Sequence, residues 1–204
     1  MIVAQRPILI AKQPLQGDWT VADWEQLPED SYCYEVLNGN LTMTTAPSSF
    51  HQWILEGLIE LIGIPIKREK LGVYFPAPIG VILGPKIAVQ PDFLVILKPN
   101  LGILRGGRVR GAPDLVIEIL SPGNTAKEMR EKQKLYAAAG VAEYAVIEPE
   151  KRILRYYQHL KDEVYSEERE FAEGETITFA CLPTIPLVIA QLFADAPDPT
   201  IYVE

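Results

Sequence analysis

The run Leu115-Val116-Ile117-Glu118-Ile119-Leu120 sets a single carboxylate among large apolar side chains. A stretch that is apolar at both alternating sets of positions has no face to give to water. It therefore fits a strand in the middle of a sheet that is covered on both sides. A chain with such a strand has to supply layers above and below it. This points to an α/β (α+β) fold in which helices flank a central mixed sheet. The same run makes a chemical demand. A buried carboxylate is costly unless it is paired, protonated or bound to a metal, so Glu118 needs a partner from elsewhere in the chain.

The flanking sequence supplies the layers. Thr20 reads as the cap of a short helix over Val21 to Leu27, which ends before Pro28. Two β-rich runs, Tyr32 to Leu37 and Asn40 to Thr44, flank Asn38-Gly39, a pair suited to a turn that needs positive φ twice. Pro47-Ser48-Ser49 opens a helix with Phe50, Ile54, Leu55, Leu58, Ile59 and Ile62 at helical spacing, expected to stop near Gly63 and Pro65. Short strands follow over Val73 to Leu83 and Ile87 to Leu97, then a glycine- and arginine-bearing loop from Gly102 to Gly111. After the Glu118 strand, Thr125-x-x-Glu128 is a capping-box pattern and Gly140 a C-terminal stop, bracketing a helix. Strands over Ala142 to Ile147 and Ile153 to Gln158, an acidic loop through Glu175, a strand over Thr176 to Phe179 and a closing helix over Leu187 to Phe193 complete the chain.

With 204 residues, 48% of them hydrophobic, the chain suits one domain with a sizeable core and not two. The expected layout is an extension over 1–19, the domain over 20–194 and a tail over 195–204. The start of the chain is interrupted by Gln5, Arg6 and Pro7 and lacks the pattern of a secretory signal. No apolar stretch has the length of a membrane span. Cys33 and Cys181 form no C-x-x-C pair, and His51 and His159 are too scattered for a histidine-based zinc site. A cytoplasmic protein with two buried thiols is expected. The net charge of -8 argues against a protein that coats nucleic acid unspecifically. The charge is uneven, however. Residues 98–134 hold eight basic and four acidic side chains, so this segment is +4 and the remainder -12.

Asp92 opens the apolar strand Phe93 to Leu97, and acids on successive core strands can converge at one edge of a sheet. Hard oxygen ligands of this kind suit Mg²⁺ or Mn²⁺, which keep waters and share a substrate phosphate. Lys132, on the helix that leaves the Glu118 strand, supplies a cation, and Glu128 one turn earlier is placed to orient it.

Several pieces then stand in order: Tyr34-Glu35-Val36-Leu37-Asn38-Gly39, Gln90-Pro91-Asp92, Pro113-Asp114 through Glu118-Ile119-Leu120-Ser121-Pro122, Lys132-x-x-x-Tyr136, Ala139-Gly140-Val141, and Glu143-Tyr144 through Glu148-Pro149. Together they resemble the restriction-endonuclease family of PD-(D/E)XK fold long catalogued as a domain of unknown function, over roughly Thr20 to Phe193. The resemblance implies that Asp92 and Glu118 bind the metal, that Lys132 is the catalytic lysine and that Glu35 is an N-terminal acid facing the same cleft. The superfamily's usual lysine position falls on Leu120, and the resemblance implies a lysine moved to the following helix, which Lys132 fits. Asn40, Ala145 and Glu148 are further departures, none at a metal ligand. The implied reaction is hydrolysis of DNA phosphodiesters. One or two Mg²⁺ ions on Asp92, Glu118 and the Ile119 carbonyl polarise the phosphate, and Lys132 positions the water or stabilises the transition state. Arg105, Arg108 and Arg110 are candidates to grip flanking phosphates. A homodimer would let one small domain cut both strands.

Each residue also has a plain structural reading. Glu118 would be a buried acid paired with an arginine, Asp92 a turn residue at a strand start, and Lys132 a solvated helix lysine like its neighbours Lys127 and Lys134. Glu35 would be an edge acid, Asp114 a strand-start acid outside the ligand set, and His51 a packing or capping residue. The acidic total and Leu120 also fit a different class of function, a nuclease-fold module turned to binding or assembly.

Overall fold

Asn38 and Gly39 both hold positive φ, 51° and 82°, so the chain reverses within two residues. This turn joins β1 (Cys33–Leu37) to β2 (Asn40–Thr44), preceded by α1 (Val21–Trp24) with a capping box on Thr20. The computed structural model describes residues 13–121 and 126–196. The Thr125 cap, the Lys127 side chain and the outer parts of both terminal segments lie outside the described residues.

Next come α2 (Ser49–Leu58), a π turn over Ile59–Gly63 and α3 (Ile64–Glu69). The expected stop at Gly63 and Pro65 is therefore corrected: the helical path continues to Glu69. The π turn absorbs the proline, since the Ile64 N–H bonds five residues back to the Ile59 carbonyl. Gly63 serves a contact instead of a stop. A Cβ there would lie 2.6 Å from the Tyr74 ring.

The remaining elements are β3 (Gly72–Pro76), β4 (Val81–Gly84), β5 (Ile87–Val89), β6 (Phe93–Leu97), β7 (Leu104–Arg105), β8 (Arg108–Arg110), β9 (Leu115–Ile119), α4 (Ala126–Ala138), β10 (Glu143–Glu148), β11 (Ile153–Lys161), β12 (Val164–Ala172), β13 (Thr176–Thr178), β14 (Pro186–Val188) and α5 (Ile189–Phe193). Three expectations change. The loop from Gly102 to Gly111 contains the β7–β8 hairpin. The acidic stretch before Glu175 is the nine-residue strand β12, whose Glu168 and Glu170 meet Arg155 across the ladder. The closing helix begins only at Ile189, because Pro186–Val188 pairs with β13.

The expected mixed sheet has the order β12-β11-β10-β9-β6-β3, with β9 parallel to β10 and its other ladders antiparallel. A second six-stranded sheet, β2-β1-β5-β4-β8-β7, lies beside it. One face of the first sheet, through Phe93, Val95, Leu115 and Ile117, packs on Ile54, Leu58, Ile62 and Ile66 of the α2–α3 path. The opposite face, through Leu94, Ile96, Val116 and Val146, packs on Val81, Val89 and Val109 of the second sheet and on Leu135 and Tyr136 of α4. The parallel β9–β10 pair needs a crossover, and α4 provides it. Among the described residues no helix is long and apolar enough to cross a membrane.

Candidate active site

Phe93 of β6 faces Ile117 of β9 in the antiparallel ladder. One step outward along both strands, Asp92 stands opposite Glu118. Glu118 shares the face of Val116, the side covered by α4 and the second sheet. The acids from neighbouring inner strands are thus brought to one end of the sheet, on one side.

Lys132 enters from α4. Its Nζ lies 3.0 Å from Glu118 Oε1 and 3.1 Å from the Glu35 carboxylate. Tyr136 follows Lys132 by one helical turn and so shares its face. Its hydroxyl donates to the same Glu118 Oε1 at 2.7 Å. Glu35 reaches the site from β1 of the second sheet and accepts the Gln90 N–H at 2.8 Å. The tripeptide Gln90-Pro91-Asp92 therefore delivers one acid and anchors another.

Asp92 is held at both oxygens. Oδ2 accepts the Ile119 N–H at 2.7 Å, and Oδ1 lies 3.2 Å from His51 Nε2. His51 is buried in the first turn of α2, whose N-cap Ser48 accepts the His51 N–H at 3.2 Å. The sequence alone reads His51 as a packing or capping residue and Tyr136 as part of the Lys132-x-x-x-Tyr136 piece. The structure adds both to the site. The i,i+4 spacing of Lys132 and Tyr136 was a usable signal, whereas nothing local to His51 announces its contact.

The charges do not balance. Among the described residues Glu35, Asp92 and Glu118 face the single ammonium of Lys132. Burial pushes Glu118 up to about 7, and the Asp92 and Glu35 charges push the same way against Lys132 and the Tyr136 hydrogen bond. Burial alone would pull Lys132 down, but the Glu118 and Glu35 carboxylates hold its pKa well above the usual lysine value. Burial and the neighbouring carboxylates likewise keep Tyr136 protonated, as a donor. Cys33, beside Glu35 on β1, is pushed up to about 11, chiefly by burial, and is a poor nucleophile.

Among the described residues no three His, Cys, Asp or Glu side chains form a ready-made cation cage. Mg²⁺ does not require one. It binds through one or two carboxylates and fills its shell with water and phosphate oxygens. Asp92 and Glu118 suit that pattern, since among the described residues each Asp92 oxygen carries one donor and both donors to Glu118 use Oε1.

Other buried or charged groups are placed elsewhere. Glu143, at the start of β10, accepts the Ala180 and Cys181 N–H groups at 2.8 and 2.6 Å and the Tyr156 hydroxyl. Among the described residues it has only neutral donors, and it fastens the C-terminal turn. Asp114 accepts the Leu97 N–H and the Asn100 amide at 2.7 and 2.6 Å, at the far end of β9. Glu128 is exposed, and the acids that hold Lys132 are Glu35 and Glu118. Lys134 lines a depression with Asn38, Leu83 and Ile87 on another flank of α4. On the β7–β8 hairpin Arg105 bonds the Gly102 carbonyl through Nε at 2.7 Å, Arg108 lies 4.7 Å over the Trp24 ring, and Arg110 pairs with Glu25 at 2.8 Å.

The family model named Uma2, described as "Putative restriction endonuclease", matches residues 21–190. The chain belongs to the Uma2 family. A solved structure described as a "putative nuclease belonging to DUF820", from Anabaena variabilis, superposes with a TM-score of 0.73 at 20% identity, covering 86% of this chain and 97% of that one. The Uma2 chain thus shares the fold of that protein. No match was found among curated proteins.

Proposed function

We propose that this Uma2 protein is a nuclease that hydrolyses DNA phosphodiesters with a divalent cation, Mg²⁺ or Mn²⁺, held by Asp92 and Glu118. The observation that carries this reading is the excess of negative charge at one sheet end, where three buried or half-buried carboxylates face one ammonium and Glu118 is pushed up to about 7. Among the described residues a second positive charge is what the pocket lacks. The cation, when bound, polarises a phosphoryl oxygen and makes water a better nucleophile at neutral pH.

The protein's own groups do the rest. Lys132 has three N–H donors. Glu118 and Glu35 hold two of them, which aims the ammonium and leaves one for a phosphate or water oxygen. Its raised pKa keeps that donor charged as negative charge builds on the phosphorus centre. Tyr136 fixes the Glu118 carboxylate from the core side. The Ile119 carbonyl, next to Glu118, is a further oxygen for the cation. Of the three hairpin arginines, we assign a flanking phosphate to Arg105, which gives its Nε to the Gly102 carbonyl, because Arg108 and Arg110 would first have to leave Trp24 and Glu25. The catalytic unit is 20–194, and two copies would cut both strands.

Purified protein with Mg²⁺ or Mn²⁺ is expected to nick or cut plasmid DNA, and Asp92→Ala and Glu118→Ala to abolish this. Equal cutting by the variants contradicts the reading. The lysine locked between two acids also supports a second reading, a nuclease-fold binding module in which Lys132 takes the place of the cation. That reading expects no saturable Mn²⁺ binding.

A further inference from the structure

The His51 imidazole is oddly equipped for its surroundings. It is 5% exposed, in the first turn of a helix that otherwise buries Ile54, Leu55 and Leu58. Its Nε2 lies 3.2 Å from Asp92 Oδ1, so against an ionised carboxylate Nε2 carries the proton. In the neutral ring Nδ1 is then a bare acceptor, and it is buried with no hydrogen-bond partner among the described residues. A buried polar atom without a partner opposes folding. Packing alone would favour a leucine at this position, so the imidazole is explained by what Nε2 does to Asp92.

We propose that His51 is a positioning residue that locks the Asp92 carboxylate for a divalent cation. This rests on the cation reading given above. The Ile119 N–H holds Oδ2 and the His51 N–H holds Oδ1, from two different elements, β9 and α2. Two donors at separate oxygens fix the plane of the carboxylate and leave the remaining lone pair of each oxygen for the ion. A ligand ordered in advance loses less freedom on binding, and outer-shell donors of this kind typically change metal affinity about 10- to 100-fold. Asp92 is also at the mouth of the site, its side chain 17% exposed, where without such donors it would be free to swing.

The test is a Mn²⁺ titration followed by electron paramagnetic resonance, on the full chain and without DNA. Three proteins are compared: wild type, His51→Leu, which fills the volume without a donor, and His51→Gln, whose amide N–H reaches the place of Nε2. The expected result is saturable binding by wild type, a loss of about 10- to 100-fold in His51→Leu, and recovery to within a few-fold in His51→Gln. Thermal unfolding of the metal-free His51→Leu protein is expected at the wild-type temperature or above, a split that a merely structural histidine would not give. Equal Mn²⁺ affinity of wild type and His51→Leu overturns the positioning role while leaving the cation site standing. Absence of saturable binding in wild type overturns both. Should His51→Leu not fold, His51→Met, which also lacks a donor, takes its place, with the same expected loss and the same overturning result.

Discussion

Glu35 and Lys132 are 97 residues apart in sequence and 3.1 Å apart in the fold. The contact spans β1 of one sheet and the crossover helix of the other, and Glu118 shares the same ammonium. The cleft is therefore a junction of two sheets, closed by charge. Removing the ammonium leaves two carboxylates, 10% and 8% exposed, with no cation among the described residues. Lys132→Met is expected to destabilise the metal-free protein by about 3 kcal/mol, measured by urea unfolding. In a Glu118→Gln background the same change should cost clearly less, because one of the abandoned charges is gone.

Gly63 tests the path from α2 to α3. The Tyr74 ring would sit 2.6–2.8 Å from an added Cβ, and the ring is backed by Phe93 at 5.5 Å between centroids, so it cannot simply retreat. Gly63→Ala is expected to cost about 1–3 kcal/mol in urea unfolding. Adding Tyr74→Leu should recover part of that loss.

Glu148, on β10 beside the Glu118 strand, gives a separate pH signature. Burial alone would raise its pKa, but hydrogen bonds from Arg155 and Lys151, both at 2.6 Å, outweigh it and hold the carboxyl below its ordinary value. A depressed acid stabilises the fold above its unfolded pKa, and that contribution fades as pH falls through the folded value. Glu148→Gln is expected to cost about 1 kcal/mol at pH 7. The gap between variant and wild type should shrink below pH 4 when unfolding is repeated across pH.

Much of the frame was legible because the local chemistry allows few alternatives. Asn38-Gly39 admits a tight reversal, and an acid inside an apolar strand demands a partner, which proved to be Lys132 instead of an arginine. What was hidden depends on distant contacts. Gly63 looks like a stop until Tyr74 is beside it. β12 looks like an acidic loop until Arg155 lies across from Glu168 and Glu170. β5 and β6 are nearly continuous in sequence, yet they join different sheets, a division to which hydrophobic periodicity is blind. His51 has no neighbouring signal because its partner, Asp92, belongs to another element.

The central claim is that Asp92 and Glu118, brought opposite each other at the end of β6 and β9, hold a divalent cation within reach of the Lys132 amine. A crystal soaked in Mn²⁺ and measured for anomalous scattering tests this most directly. The expected result is a peak bonded to both carboxylates, with the Lys132 ammonium still hydrogen-bonded beside it. A well-ordered site with no peak there, or with manganese only at other surface carboxylates, would contradict it.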